Sequence, residues 1–211
     1  MSCFDPVDPH DSDMRYAPLQ ISRLNTEQRL GNETIVARIV DGDEWAMEAL
    51  YQRYVHKITG IVAKLLRNSS DIEDTVQDTF IQAFQDIKKL REPAYLERWL
   101  VRIAVHRVHR RFRKRDLLRK LGLDRSVDNE RLHEQIGIPA TQEIRAELAL
   151  LDTAFDMMKM PERVCFVLRY LEGYQLDEVA RATDASLATV KRRITKAKQI
   201  VQHHFEEVGH G

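Results

Sequence analysis

The feature that most constrains the fold is an amphipathic helical pattern that recurs along most of the chain. After Asp43, a suitable N-cap, apolar residues follow one another at steps of three and four, at Ala46, Leu50, Tyr54, Ile58, Ile61 and Leu65. This spacing places them on one face of an α-helix. The segment Asn68-Ser-Ser70 ends this helix, and a second is predicted from Ser70 to about Lys89, burying Val76, Phe80, Phe84 and Ile87. With only eight Gly and six Pro in 211 residues, the chain is predicted to be all-α rather than a turn-rich β sandwich.

The same pattern predicts the other helices and the breaks between them. The run Leu90-Arg-Glu-Pro-Ala94 interrupts the periodicity, because proline removes a backbone donor and disfavours helix in the residue before it. A third helix is expected from near Ala94 through Trp99, Ile103 and Phe112 into Arg113-Lys-Arg115. Helical periodicity resumes at Ile144 and restarts after Pro161, a residue that suits the first turn of a helix.

Two stretches lack the pattern and divide the chain into domains. Up to about Asn25 the sequence is acidic and proline-broken, and between Gly122 and Thr141 the periodicity weakens. We therefore predict a mobile acidic tail over 1–25, a helical domain over 26–118, a flexible linker over 119–141 and a second helical domain over 142–208, which contains a helix-turn-helix.

The charges of the chain are strongly segregated, although their sum is zero. Lys and Arg number 33 and so do Asp and Glu, a balance that by itself argues against a nucleic-acid partner. Residues 107–125, however, include nine basic and two acidic residues, and residues 186–201 include five basic residues and no acid. One such block could be a solvated helix face. Two blocks, each at the end of a domain, favour a polyanionic partner.

Acidic residues cluster on the second predicted helix. Asp71, Asp74 and Asp78 share one face, and Glu73 lies beside it. Near a helix N-terminus these carboxylates could simply compensate the helix dipole. The alternative is a docking face for a basic protein partner.

The run from Gln175 to Ile194 has the pattern of a helix-turn-helix. Ala180 is the small residue at the helix crossing, Asp184 tolerates the left-handed conformation of the turn, and Ser186 is a candidate N-cap for the second helix. The buried stripe of that helix is predicted as Val190, Ile194, Ala197 and Val201. We expect three side chains to point away from the stripe, toward base edges in a major groove: Lys191, Arg192 and Lys196. Three others suit contacts with phosphates: Thr189, Arg193 and Lys198.

Two segments of the chain resemble conserved regions of one family in the same order. Gln175 to Ile194, preceded by Met160-Pro-Glu-Arg-Val-Cys-Phe-Val-Leu-Arg-Tyr-Leu-Glu-Gly173, resembles region four of the extracytoplasmic-function (ECF) group of sigma-70 family sigma factors. Asp71-Ile-Glu-Asp-Thr-Val-Gln-Asp-Thr-Phe80, followed by Trp99-Leu-Val-Arg-Ile-Ala104, resembles region two. The linker falls where this group lacks the middle domain of larger sigma factors, so the resemblance covers most of the chain.

The resemblance implies a promoter-recognition subunit of bacterial RNA polymerase with no enzymatic activity. In the family, an acidic helix docks on a coiled coil of the largest polymerase subunit. The residues that correspond to it here are Asp71, Glu73, Asp74, Gln77 and Asp78. The resemblance implies that a second group of residues captures a flipped base and helps to melt the minus-ten element. This group is Leu90, Arg91, Tyr95, Trp99, Arg102, His106, Arg110 and Arg113. Reading of the minus-thirty-five element falls on Ser186, Thr189, Lys191, Arg192, Arg193, Lys196 and Lys198. Such factors are usually held inactive by an anti-sigma factor, which is often membrane-bound.

Three positions depart from the family pattern. His106 stands where the family usually has Asn, Arg110 where it often has Asp, and Ala188 where it often has Gly. These differences bear on the promoter sequence recognised and leave the class unchanged.

No catalytic residue, metal site, cofactor or small-molecule substrate is predicted. His106 and His109 lie three residues apart on one helix, but the sequence offers no evident third ligand. Cys3 and Cys165 are too few for a disulfide framework, and Cys165 is expected to be a buried free thiol. Without a signal peptide or membrane span, the natural location is the cytoplasm. Two alternatives stay open: an autonomous helix-turn-helix regulator that binds duplex DNA without polymerase, and a nucleic-acid enzyme that uses the histidines with a metal.

Overall fold

A computed structural model describes residues 31–66, 68–122 and 142–209, and it describes the side chains of 31–66, 68–122 and 149–207. All regular elements in these ranges are helical: α1 (Asn32–Val40), α2 (Glu44–Leu65), α3 (Ser69–Asp86), α4 (Leu96–Lys120), α5 (Gln142–Met157), α6 (Met160–Phe166), α7 (Leu176–Ala182) and α8 (Leu187–Gly209). Short 3-10 turns cover Ile87–Lys89 and Pro93–Tyr95, and a π-helical turn covers Val167–Leu171. Across the described ranges, no helix is long and apolar enough to cross a membrane. The predicted all-α class is confirmed, whereas the predicted tail and linker residues 123–141 lie outside the described ranges.

The chain divides into two compact units at Arg53, and α1 belongs to the first of them. This helix was not predicted from the sequence, although Ile35, Val36 and Ile39 are buried at helical spacing. Asp43 accepts hydrogen bonds from the backbone of Trp45 at 3.0 Å and of Ala46 at 3.4 Å, which confirms it as a capping residue of α2. The Arg38 guanidinium bonds the same carboxylate at 2.6 Å and holds the pKa of Asp43 below its usual range. This contact ties the end of α1 to the start of α2.

The predicted buried faces of the next two helices are largely confirmed. All six apolar positions named for α2 are buried, as are Val76, Phe80 and Ile87. Phe84 is an exception, because it lies at the margin of the buried face of α3 with its ring 6.4 Å from that of Phe80, while Ala83 occupies the interior. Asn68 caps α3 by accepting from the Asp71 backbone at 3.2 Å, so the helix begins at Ser69.

α4 packs against α3 and is longer than the sequence pattern indicated. It extends to Lys120, so the first two residues assigned to the linker are helical. Its buried stripe is built from Leu96, Leu100, Val101, Ala104, Val105 and Val108. Trp99 and Ile103 are only partly buried and Phe112 is exposed, which leaves those side chains on the outer faces of the helix.

The C-terminal helices form a second buried core in which α8 lies against α5, α6 and α7. Val190, Ile194 and Ala197 are buried as predicted, and Val201 is partly buried at the end of the stripe. Pro161 lies in the first turn of α6, as expected. Arg163 is buried and its Nε donates to the Phe155 carbonyl at 3.1 Å, near the C-terminal end of α5. The guanidinium is a second donor to this carbonyl, which also accepts from the Met158 backbone at 3.1 Å.

Candidate nucleic-acid interface

The acidic stripe of α3 presents most of its side chains to solvent. Glu73, Asp74, Gln77 and Asp78 are exposed, whereas Asp71 is largely covered. Because α3 is anchored by Val76 and Phe80 on its buried face, the exposed members are held in a fixed row along one side of the helix. The structure therefore brings four of the five predicted polymerase-docking residues together on an accessible surface.

Asp71 instead faces α4. Its carboxylate pairs with Arg115 at 3.2 Å and with Arg111 at 3.4 Å, and its side chain is only 15% exposed. Arg111 also reaches Asp74 at 2.5 Å. Part of the acidic stripe thus neutralises the basic block of α4. This role differs from both interpretations of the stripe that the sequence offered, helix-dipole compensation and docking of a partner.

A cleft of about 310 Å³ lies between α3 and the basic half of α4. Its walls are Thr75, Asp78, Arg107, Arg110, Arg111 and Lys114. The guanidinium of Arg107 bonds the side-chain oxygen of Gln82 on α3. Arg110, which the sequence assigned to minus-ten DNA, therefore lies with these cations rather than with the aromatic residues that precede α4.

A second cleft, of about 340 Å³, collects the aromatic residues at the start of α4. The predicted minus-ten residues that line it are Leu90, Arg91, Tyr95, Trp99 and Arg102. Aromatic rings and guanidinium groups offer stacking surfaces for unpaired bases. This arrangement suits single-stranded nucleic acid.

Arg98 also lines this cleft, although it was not among the predicted DNA-binding residues. Its guanidinium lies 5.2 Å from the centre of the Tyr95 ring, and it also pairs with Glu178 of α7. The signal was the four-residue spacing of Arg98, Arg102 and His106, which places all three on one face of α4.

The remaining minus-ten candidates lie further along α4. His106 is exposed, with its Nε2 atom 3.0 Å from the Asp184 carboxylate. Arg113 is exposed near His109, whose pKa falls to about 4 because burial disfavours the charged ring and the charges of Arg113, His106 and Arg193 repel a proton. No group of three or more potential metal ligands occurs among the described residues. With a pKa of about 4, the half-buried side chain of His109 is neutral at neutral pH.

The helix-turn-helix has the geometry that its sequence predicts. Asp184 adopts a left-handed conformation with φ of 47°, and Ser186 caps α8 by accepting from the Thr189 backbone at 3.2 Å. The hydroxyls of Ser186 and Thr189 also bond each other at 2.9 Å. Val179 and Val190 are fully buried where the two helices meet. Local hydrogen bonds and the buried contact between the two helices therefore position the turn and the start of α8.

The basic residues of α8 differ in how free they are to contact DNA. Lys191 and Arg192 are exposed, whereas Lys196 pairs with Glu162 at 2.9 Å and the Lys198 ammonium lies 5.3 Å from the Tyr170 ring centre. Arg193 is partly buried beside the Cys165 thiol.

Burial raises the pKa of the Cys165 thiol above its usual range. The thiol is fully buried and free, as the sequence predicted.

Two segments of the chain match known protein families. The profile of Sigma-70 region 2 matches residues 50–117, and that of Sigma-70 region 4 matches residues 148–201. The chain belongs to the sigma-70 family of sigma factors. The first match contains the cleft between α3 and α4 and those residues of the aromatic cleft that lie before and at the start of α4, and the second contains the helix-turn-helix.

Similar proteins place this sigma factor in the ECF group. The ECF RNA polymerase sigma-E factor of Haemophilus influenzae is 27% identical over 189 residues, which cover 85% of this chain and 97% of that protein. The corresponding Escherichia coli factor is 25% identical over 190 residues, covering 85% and 96%. The sigma factor directs RNA polymerase to promoters and is not an enzyme, as the sequence predicted.

Solved structures share the fold of this sigma factor. CnrH in complex with the cytosolic domain of CnrY aligns with a TM-score of 0.59 and 19% identity, covering 83% of this chain and 97% of that one. The sigma factor RpoE of Bartonella quintana, solved with the anti-sigma factor NepR, aligns with a TM-score of 0.57 and 19% identity, covering 75% and 96%.

Proposed function

We propose that this ECF sigma factor uses three separate surfaces, one for core polymerase and two for promoter DNA. The observation that carries the proposal is the segregation of charge and aromatic groups in the structure. The exposed acids of α3, the aromatic and cationic cleft at the start of α4, and the exposed cations of α8 lie on different helices. Each surface matches a partner of different chemistry.

The polymerase surface is the exposed part of the acidic stripe, with Glu73, Asp74, Gln77 and Asp78 in direct contact with a basic coiled coil. Asp71 supports this surface by holding α3 against Arg111 and Arg115. Electrostatic complementarity of this kind accelerates association and selects the partner.

The minus-ten surface is the cleft lined by Leu90, Arg91, Tyr95, Trp99 and Arg102, extended along α4 by His106, Arg110 and Arg113. Unstacking a base costs a few kcal/mol, and stacking on an aromatic ring returns about 1–3 kcal/mol per base. Cations along the same helix hold the backbone on either side of an extruded base.

The minus-thirty-five surface is the N-terminal half of α8. Lys191 and Arg192 are exposed and suit base edges, and Ser186 and Thr189 lie at the helix start, where hydroxyl groups reach phosphates. The other cations of α8 also contact DNA in this proposal, after they leave their partners within the protein. They are Arg193, Lys196 and Lys198. Two weak contacts on one chain reinforce each other through effective concentration.

Two further assignments belong to this proposal. The factor acts in the cytoplasm, where polymerase and promoters are found, and an anti-sigma factor controls it by covering the same surfaces. One solved structure of this fold contains the anti-sigma factor NepR, and another contains the cytosolic domain of CnrY.

The test is transcription in vitro with purified core polymerase that lacks any sigma factor, on a library of promoters. The full chain should produce promoter-dependent transcripts, and an Asp74→Lys/Asp78→Lys variant should not, while its binding to duplex DNA without polymerase stays unchanged. If folded protein produces no such transcript but regulates transcription by binding duplex DNA, it is an autonomous regulator instead.

A further inference from the structure

We propose that the cleft between α3 and the basic half of α4 is a binding site for a small anion that carries a terminal phosphate group. Four cations and one acid are among its lining residues: Thr75, Asp78, Arg107, Arg110, Arg111 and Lys114. Its volume, about 310 Å³, lies at the lower end of the range for small-molecule sites, about 300–1,000 Å³. We call this cleft the anion site. It is defined by these side chains alone and does not depend on the proposed partners.

The anion site lies between two points at which side chains bridge α3 and α4. At one of them Arg111 pairs with Asp71 at 3.4 Å, and at the other the Arg107 guanidinium donates to the side chain of Gln82. Thr75 follows Asp71 by one helical turn and precedes Gln82 by two, so it shares their face of α3. The two bridges therefore hold the walls of the site on either side of Thr75.

Thr75 carries a buried hydroxyl that has no partner. The residue is 1% exposed, and its Oγ1 atom makes no hydrogen bond with any described residue. Thr79, one turn later, shows the usual arrangement, because its hydroxyl donates to the Thr75 carbonyl at 2.7 Å. Burying a hydroxyl without a hydrogen bond costs free energy. On the wall of a cationic cleft, such a donor indicates a ligand with acceptor oxygens.

The cations of the anion site are not all neutralised by the protein. Arg111 pairs with the acidic stripe, but no described carboxylate pairs with Arg110 or Lys114, and both are exposed. With Arg111 set aside, three cations face the single carboxylate of Asp78. This excess of positive charge matches a terminal phosphate group, which carries about −1.5 to −2 at neutral pH.

Other occupants match the anion site less well. A water molecule would satisfy the Thr75 hydroxyl but would leave the excess charge. A phosphodiester of the DNA backbone carries one charge, and its two ester oxygens are tied to sugars. A terminal phosphate offers three acceptor oxygens, enough for the Thr75 hydroxyl, the Arg110 guanidinium and the Lys114 ammonium. A phosphate monoester or a diphosphate is therefore the ligand class that we assign.

The first test is a calorimetric titration of the full chain with inorganic pyrophosphate, near neutral pH and at constant ionic strength. Thr75→Val should weaken binding about tenfold, because a hydrogen bond to a charged ligand is lost. Valine keeps the shape of the side chain and removes the unpartnered hydroxyl, so the urea midpoint of the ligand-free protein should not fall. The matched control is Thr79→Val, which should bind as the unmodified chain does, since the Thr79 hydroxyl is bonded within α3.

A second pair of variants tests the charge of the anion site. Lys114→Gln should weaken pyrophosphate binding about threefold, because it removes one exposed cation from the wall. Lys88→Gln makes the same change at an exposed lysine that follows α3 and does not line the site, and its affinity should stay unchanged. In the unmodified chain, pyrophosphate should shift the backbone amide resonances of Thr75 and Lys114.

Three outcomes would overturn the anion site. They are the absence of pyrophosphate binding, equal affinities of the unmodified chain and Thr75→Val, and equal losses in Lys114→Gln and Lys88→Gln. A parallel titration uses a single-stranded DNA oligonucleotide without terminal phosphates. If Thr75→Val weakens its binding as much as that of pyrophosphate, the cleft holds backbone phosphates and the proposal fails. Transcription with core polymerase tests the proposed function separately, because Thr75 belongs to none of the three proposed surfaces.

Discussion

Asp71, in the first turn of α3, accepts a hydrogen bond from Arg115 of α4, 44 positions further along the chain, at 3.2 Å. Both side chains are about 15% exposed. Of the acidic stripe, this residue contributes most to holding the two helices together. If the Asp71 charge is removed, Arg111 and Arg115 each lose a carboxylate acceptor on α3.

Asp71→Asn should therefore lower the free energy of unfolding by about 1–2 kcal/mol, because a partly buried guanidinium loses its charged partner. Urea denaturation measures the change. Asp78→Asn is the matched control, since Asp78 is exposed and its replacement should change stability by no more than about 0.5 kcal/mol. Equal stabilities of the two variants would contradict a structural role for Asp71.

Asp78→Lys should weaken binding to core polymerase by about tenfold or more, because it places a cation against a basic surface. The measurement is a core-polymerase titration with fluorescently labelled sigma factor. Asp41→Lys makes the same charge change at an exposed residue that follows α1, outside every proposed surface, and should bind normally. Comparable losses in both variants would mean that only net charge matters.

Arg192→Ala should relax discrimination among minus-thirty-five sequences by about 1–3 kcal/mol at one base position, because an exposed guanidinium of α8 would read a base edge. Selection from a promoter library by holoenzyme measures it. Arg193→Ala should mainly reduce the salt dependence of binding. Identical specificity profiles for the two variants would count against this orientation of α8.

Acidification should destabilise the protein through His109. Its pKa is about 4 in the folded chain and near 6.5 when unfolded, so the unfolded state takes up the proton first as pH falls. The contribution of His109 is complete above about pH 6.5 and is lost as pH falls toward 4, a change of about 1–2 kcal/mol for a partly exposed group. Unfolding experiments between pH 7 and 4.5 should show a shallower decline for His109→Gln. Superimposable slopes would refute the assignment.

Local features of the sequence predicted the helices and their caps. Asp43 and Ser186 cap their helices, and Asp184 takes the left-handed turn, because each of these roles depends on a few neighbouring residues. The missed helix, α1, is only nine residues long and shows barely two turns of periodicity. Phe84 was expected inside and lies at the edge, because its position depends on where α3 meets its neighbours.

The sequence by itself determined the helical faces, the acidic and basic blocks, and the family to which they belong, since these follow from spacing and motif order along the chain. Only the tertiary structure decided that Asp71 meets Arg115, that Arg98 joins the aromatic cleft and that Asp184 reaches Arg102. The physical reason is that charge pairing across helices depends on their packing distance and rotation. Those quantities are set by the interlocking of buried side chains and have no signature in local periodicity.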